Sequence, residues 1–243
     1  IATRDQPNGL GYLCSFTKTQ SLGFMNTQNI LNFLTDLAQN NNRDWMHANK
    51  KVYQQAKKDF EALTTEIIEE VAAFDPNIEG LTAKDCVFRL NRDIRFSKDK
   101  SPYKLNFGAS ITKGGRKSHW AGYYLQIQPG GESFMAGGSY MPVGENLAKI
   151  RQEIDYNADE LRKLLAADDF KKYFKELEGD SVKTSPKGYS RDNPNIDLIR
   201  RKSFIMWHKI TDKQVLANNY KTQIVKVFQA MKPLNDYLNV AME

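Results

Sequence analysis

Cysteine, histidine and long apolar runs are all scarce in this chain, and each scarcity removes a class of protein. Two cysteines, Cys14 and Cys86, among 243 residues cannot by themselves build a disulfide scaffold or a thiolate zinc centre. Three histidines, His47, His119 and His208, stand far apart, so no His-rich metal centre is expected. No stretch approaches the ~18 consecutive apolar residues of a spanning helix, and no membrane partner is expected. Gly114-Gly115-Arg116-Lys117 lacks Walker spacing, Gly137-Gly138 lacks the strand–helix context of a dinucleotide fingerprint, and no Gly-x-Ser-x-Gly elbow occurs. Cofactor and reaction are therefore unknown at this level, and whether the chain is an enzyme stays open.

What the chain has is ordinary globular composition, 40% hydrophobic and 26% charged, which excludes a disordered polymer. Its net charge is +6, and the surplus is local. Between Lys84 and Lys117 ten basic residues face three acids, Asp85, Asp93 and Asp99, so this one window accounts for the whole imbalance. A concentrated cluster suits a small anion. A nucleic-acid binder more often shows a basic face fed from several elements.

Residues 1–24 show no sustained periodicity and neither the charged nor the apolar region of a secretory signal, so they read as an N-terminal extension outside the fold, with Met25 as the natural start. The expected location is cytoplasmic. Residues 25–243 read as one domain. Ile30, Phe33, Leu34 and Leu37 follow helical spacing behind a cap at Asn26 or Thr27, and 43–73 reads as one long helix stopped by Asp75-Pro76-Asn77. The period then changes to two: Leu105, Phe107, Ala109 and Ile111, next Tyr123, Leu125 and Ile127, then a returning strand from Phe134 to Tyr140. Helix resumes beyond Pro142 to about Tyr173. A Gly/Pro-rich loop over 183–194, a short helix over 196–202 and a strand over 203–210 follow. A last helical region is interrupted or restarted by Pro233. The fold class is α+β, with an antiparallel sheet of about four to six strands flanked by N- and C-terminal helices.

Chemistry concentrates at 86–104. As a regular strand, 86–96 places Cys86, Phe88, Leu90, Ile94 and Phe96 on an apolar face and Arg89, Asp93 and Arg95 on the other. Arg92 then falls on the apolar face, where it needs a paired acid or a bound anion unless a bulge near Asn91 turns it out. A turn carrying Lys100 leads through Pro102 to Tyr103 and Lys104. Arg89, Arg92, Arg95, Lys100 and Lys104 can thus converge on phosphate or carboxylate, with Asp93 orienting arginines and Tyr103 contacting the ligand. Cross-strand ion pairs with no ligand are the structural alternative. Lys187, Tyr189, Arg191 and Asp192 can join the same site from their loop, whereas Arg200, Arg201 and Lys202 more simply complement a helix end. Tyr123, Tyr124 and Tyr140 suggest either a stacking platform or ordinary sheet core. His208, with Phe204, Met206 and Ile210, reads as a hydrogen-bonded core histidine.

Arg89-x-x-Arg92-Asp93-x-Arg95-Phe96-x-x-Asp99-Lys100-x-x-Tyr103 resembles the signature of the DUF2461 family, a mainly bacterial group of about this length without an assigned reaction. Asn42-Arg43-Asp44-Trp45 with Asn49-Lys50, and Pro186-Lys187-Gly188-Tyr189 with Asn193-Pro194, agree with it. The resemblance extends from Met25 to about Leu238. It sharpens the site and leaves the function open. The leading expectation is binding of an anionic small molecule at the Arg-rich strand and turn. The alternatives are nucleic-acid binding through the same basic face, or a protein-interaction module in which the Arg/Asp cluster is purely structural.

Overall fold

Helix α1 (Thr27–Gln39) buries Ile30, Phe33, Leu34 and Leu37, the residues whose spacing predicts it. Asn26 caps it, accepting from the Asn29 N–H at 3.3 Å. The computed structural model describes residues 26–243; the expected extension over 1–24 lies outside the described residues.

The helix expected over 43–73 is two helices, α2 (Arg43–Ala48) and α3 (Lys50–Ala72). Asn49 separates them at φ −101°, ψ 19°, and its Nδ2 donates to the Trp45 carbonyl at 3.0 Å. Such a side chain competes with the next helical turn for the carbonyl. The apolar stripe continues across the break, which hides it in the sequence pattern. A 3-10 turn (Pro76–Ile78) and the four-residue helix α4 (Ala83–Cys86) follow. Cys86 is buried as expected, but at the end of α4 and not on a strand; burial pushes its thiol up to about 11.

Among the described residues β1 (Phe107–Ile111), β2 (Gly122–Ile127), β3 (Ser133–Ser139) and β4 (Phe204–Ile210) form one antiparallel sheet in the order β1-β2-β3-β4. The architecture is α+β. The alternation in the sequence explains the inner face: Phe107, Ala109, Ile111, Tyr123, Leu125, Ile127, Met135, Phe204, Met206 and Ile210 are all buried. Each large apolar side chain so buried contributes about 1.5–3 kcal/mol of transfer free energy.

Between β3 and β4 the chain makes α5 (Gly144–Ala166), α6 (Asp168–Tyr173) and α7 (Ile196–Ile199). The helix expected to reach Tyr173 is thus divided at Ala167 and also kinked at Asn157, where φ is −131°. After α8 (Asp212–Val215), α9 (Tyr220–Met242) runs through Pro233 without interruption, against expectation. An interior proline forfeits one hydrogen bond and costs ~3 kcal/mol or more. The packing of α9 against β2, β3 and α5 outweighs that cost, with Phe228, Met231, Leu234 and Leu238 all buried. Tyr123 reaches down from β2 to donate to Asp75 at 2.8 Å, tying the sheet to the end of α3. His208 is half-buried, its Nδ1 donating to the Tyr173 carbonyl at 3.0 Å.

Candidate functional site

Helices cover the inner face of the sheet, so the chemistry open to ligands lies on the outer face and on the segment before β1. That segment is not the regular strand of the first reading. Val87 bridges to Ala109 beside β1, Asn91 bridges to Tyr103, and residues 91–103 between them form an irregular hairpin closed by Arg92 N–H to Pro102 O at 2.9 Å. The local reason is the density of Asp, Ser and Pro, whose side chains bond the nearby backbone in place of a ladder. Asp99 accepts from Ser101 N–H at 2.9 Å and from its hydroxyl at 2.6 Å.

Two arginines of the predicted set are internally paired. Arg92, half-buried, meets Asp99 and also reaches Ser97 Oγ and the Ser101 carbonyl at 3.3 Å. Arg92 thus has an acid partner, although the apolar strand face on which it was expected is not formed. Ser101 and then Arg92 hold the Asp99 carboxyl well below the usual range. Arg95 grips Asp93 through Nε at 2.9 Å and Nη2 at 2.7 Å, which likewise lowers Asp93. Lys100 donates to the Ile94 carbonyl at 3.0 Å. Arg89 makes no ion pair among the described residues, and Lys104 sits 5.4 Å over the Phe88 ring. Burial and then Arg89 push Lys104 down. Tyr103 is held by its backbone: its N–H donates to Asn41 Oδ1 at 3.1 Å and its carbonyl accepts from Asn41 Nδ2 at 3.0 Å.

The seven residues thus divide between the hairpin's internal pairing and its two flanks. On one flank Lys100 joins Arg43, Asn41 and Asn42 around an open depression of 480 Å³. On the other, Lys104 and Phe88 lead to the outer face of the sheet.

That face holds a 680 Å³ groove that the sequence reading did not anticipate. Register explains its shape. Ser110, Tyr124, Ala136 and Trp207 stand in one outward row, and Gly122, Gly138 and Ile205 in the next. The small residues make a low floor and the aromatics stand above it. A Cβ at Gly122 would lie 2.5 Å from Thr112 Cβ, and one at Gly138, where φ is +103°, would strike the Phe204 carbonyl. Phe88, Tyr124, Phe134 and Trp207 form a chain of rings across the sheet with successive centroids 6.3, 5.6 and 5.6 Å apart. At the other end Arg116, Ser118 and His119 from the β1–β2 connection face Asn146 and the Tyr140–Val143 segment. Met141 in that wall has φ +47°, a strained conformation for its residue type, fixed by its N–H donating to Ser203 Oγ at 3.0 Å. Arg and His belong to the lining and no carboxylate does. Burial pushes the Tyr124 phenol up to about 12, so it stays a neutral donor.

Of the tyrosines weighed as a platform, Tyr123 is core, while Tyr124 and exposed Tyr140 line the groove. Lys187, Tyr189, Arg191 and Asp192 line neither recess. Their loop is docked on α5, where Asn193 donates to Asp155 at 2.6 Å. Arg200 ties that loop down through the Val182 carbonyl at 2.8 Å, so it does more than complement a helix end. Arg116, Trp120, Phe134, Asn146 and Trp207 are given no site role by the sequence. Their signal lies in the small residues at outward positions, Gly108, Ser110, Gly122, Ala136 and Gly138, legible only once the register is known. Among the described residues no three His, Cys, Asp or Glu side chains group as metal ligands, and no helix is long and apolar enough to cross a membrane.

The model of the family described as conserved hypothetical protein (DUF2461) matches residues 29–237, and the chain belongs to that family. No curated protein and no solved structure matches it.

Proposed function

We propose that this DUF2461 member binds a small molecule with a planar apolar body and an anionic group in the groove on the open face of its sheet. The observation that carries the reading is the lining: four linked aromatic rings at one end, Arg116 and His119 at the other, and no carboxylate between them. A volume of 680 Å³ falls within the ~300–1,000 Å³ usual for small-molecule sites. The rings take the planar body by stacking and edge contacts, and the Arg116 guanidinium, whose Nη1 donates to the Lys84 carbonyl, takes the anion through its remaining N–H groups. Lys104 and Arg89 add positive potential at the Phe88 end. The anion expected from the charge pattern is retained, and its main site moves from the hairpin to the groove beside it.

A second reading, single-stranded nucleic acid laid across the same face, draws on Lys104 over Phe88 and Lys209 5.6 Å over Trp207, a cation at each end of the ring chain. A thermal-shift screen of nucleoside monophosphates, aromatic carboxylates, anilinonaphthalene sulfonate and short oligonucleotides at two salt concentrations separates the two. A small ligand at 100 times its Kd stabilises by ~2.7 kcal/mol, about 5–10 °C for a chain of this size. Oligonucleotide binding would fall steeply with salt. Ala136→Phe fills the groove from its outward face and is expected to abolish the shift while leaving the unliganded melting temperature near the parent's. Equal shifts in parent and Ala136→Phe would refute the site.

A further inference from the structure

The hairpin ends in Phe96, which at 95% exposure is the most exposed large hydrophobic side chain among the described residues. A phenylalanine held in water at the tip of a charged turn has no role in the core. The turn is nevertheless organised. Arg92 pairs with Asp99, Lys100 ties to the Ile94 carbonyl, and Asn41 grips both backbone groups of Tyr103 at the base. The ring is therefore presented on a braced support.

Its surroundings carry a positive surplus. Both acids of the hairpin are spent, Asp93 on Arg95 and Asp99 on Arg92 and Ser101. Lys98 and Lys100 make no ion pair among the described residues. On one side of the tip Ile94, Lys100, Ser101 and Pro102 meet Asn41, Asn42 and Arg43 around the 480 Å³ depression, whose lining holds two cations, three neutral polar groups and no acid. That combination fits a phosphate or carboxylate headgroup, and Phe96, two residues from Ile94 in the same turn, supplies the apolar ring.

We propose that the hairpin docks the protein on an anionic phospholipid surface, with Phe96 entering the headgroup–acyl boundary and Arg43 and Lys100 holding an anionic headgroup. The assignment is independent of the groove. It departs from the expectation of no membrane partner, which rested on the lack of a spanning segment; a peripheral contact needs none. Nucleic acid is the less suitable partner, because Phe96, with the Arg95 guanidinium 5.7 Å from its ring centre, is a single ring, and successive bases need successive rings on which to stack. At a bilayer the same guanidinium can reach headgroup phosphate while the ring inserts.

The test is co-sedimentation of the full chain with vesicles of phosphatidylcholine alone and with phosphatidylserine added, at low and high salt. The parent is expected to bind only the anionic vesicles and to be released by salt. Each lost cation weakens binding about fivefold, so Arg43→Gln/Lys100→Gln is expected to lose about 25-fold. Phe96→Ser, at an exposed position, is expected to lose roughly tenfold at unchanged melting temperature. Absence of binding to anionic vesicles at low salt would overturn the proposal. So would Phe96→Ser binding like the parent, or binding to phosphatidylcholine vesicles as strong as to the anionic ones. Oligonucleotide binding that depends on Phe96 without vesicle binding would reassign the tip to nucleic acid.

Discussion

Replacing Asn41 by alanine removes the two hydrogen bonds that fasten the basic hairpin to the helical layer. Both link a side chain to the backbone of Tyr103, 62 residues away, at 3.0 and 3.1 Å, and both are half-buried. An intact bond of this kind contributes about 1 kcal/mol net, and a buried orphan donor or acceptor costs about 1–3 kcal/mol. Because water can reach the vacated site in part, the expected loss is about 2 kcal/mol in urea unfolding, or roughly 4–8 °C in melting temperature for a protein of this size. Hydrogen exchange gives the sharper readout: the Tyr103 amide should lose protection in Asn41→Ala while β2 and β3 amides keep theirs. Asn41→Asp retains an acceptor for the Tyr103 N–H but sets a carboxylate oxygen against the Tyr103 carbonyl, so it should not rescue. A loss below about 0.5 kcal/mol, with Tyr103 exchange unchanged, would show that the hairpin is held by something other than Asn41.

Two further outcomes follow from the site's electrostatics and burial. The Asp99 and Asp93 carboxyls lie below the ordinary carboxylate value, Asp99 through Ser101 and Arg92 and Asp93 through Arg95. A depressed folded value means that the stabilisation is fully present above the unfolded pKa of about 3.9 and is lost as pH falls through the folded value. Carboxyl NMR titration should find both more than half ionised at pH 3.9, and a midpoint at or above that value for Asp99 would contradict the pairing. In a Cys14→Ser background, Cys86 should resist a thiol reagent at pH 8 until urea unfolds the chain, since burial pushes its thiol up to about 11; rapid reaction of the folded protein would contradict its placement.

The inner half of the structure was legible because burial imposes a period. The faces of α1, β1, β2 and β4 stand where the apolar residues predict them, since moving one residue would carry a large side chain into water. Breaks were not legible where the apolar stripe runs past them. Asn49 parts α2 from α3 through one side-chain hydrogen bond, and Pro233 sits inside α9 because packing outweighs the missing donor. The segment 86–96 reads as a regular strand from its spacing and is instead the first arm of an irregular hairpin. Its Asp, Ser and Pro residues satisfy the local backbone, as the Asp99–Ser101 bonds show, and this competition is decided by geometry that spacing alone does not encode.

Charge was the strongest signal in the sequence, and pairing decides what it means. The basic surplus of the 84–117 window was expected to converge on one anion. Arg92 and Arg95 instead have acids of their own, so convergence at a single point would leave Asp93 and Asp99 facing the ligand they would have to repel. The cations left over are separated by the hairpin into two sets. Lys104, over Phe88, and Arg116 lie at the two ends of a groove floored by glycine, alanine and serine, while Lys100 meets Arg43 of α2 at an open depression. A recess walled by rings selects a ligand that can leave water, whereas a shallow basic cradle beside an exposed ring selects a surface. The two proposals therefore divide the cations between recognitions of different kind, and on both, substitutions confined to one flank should leave the other intact.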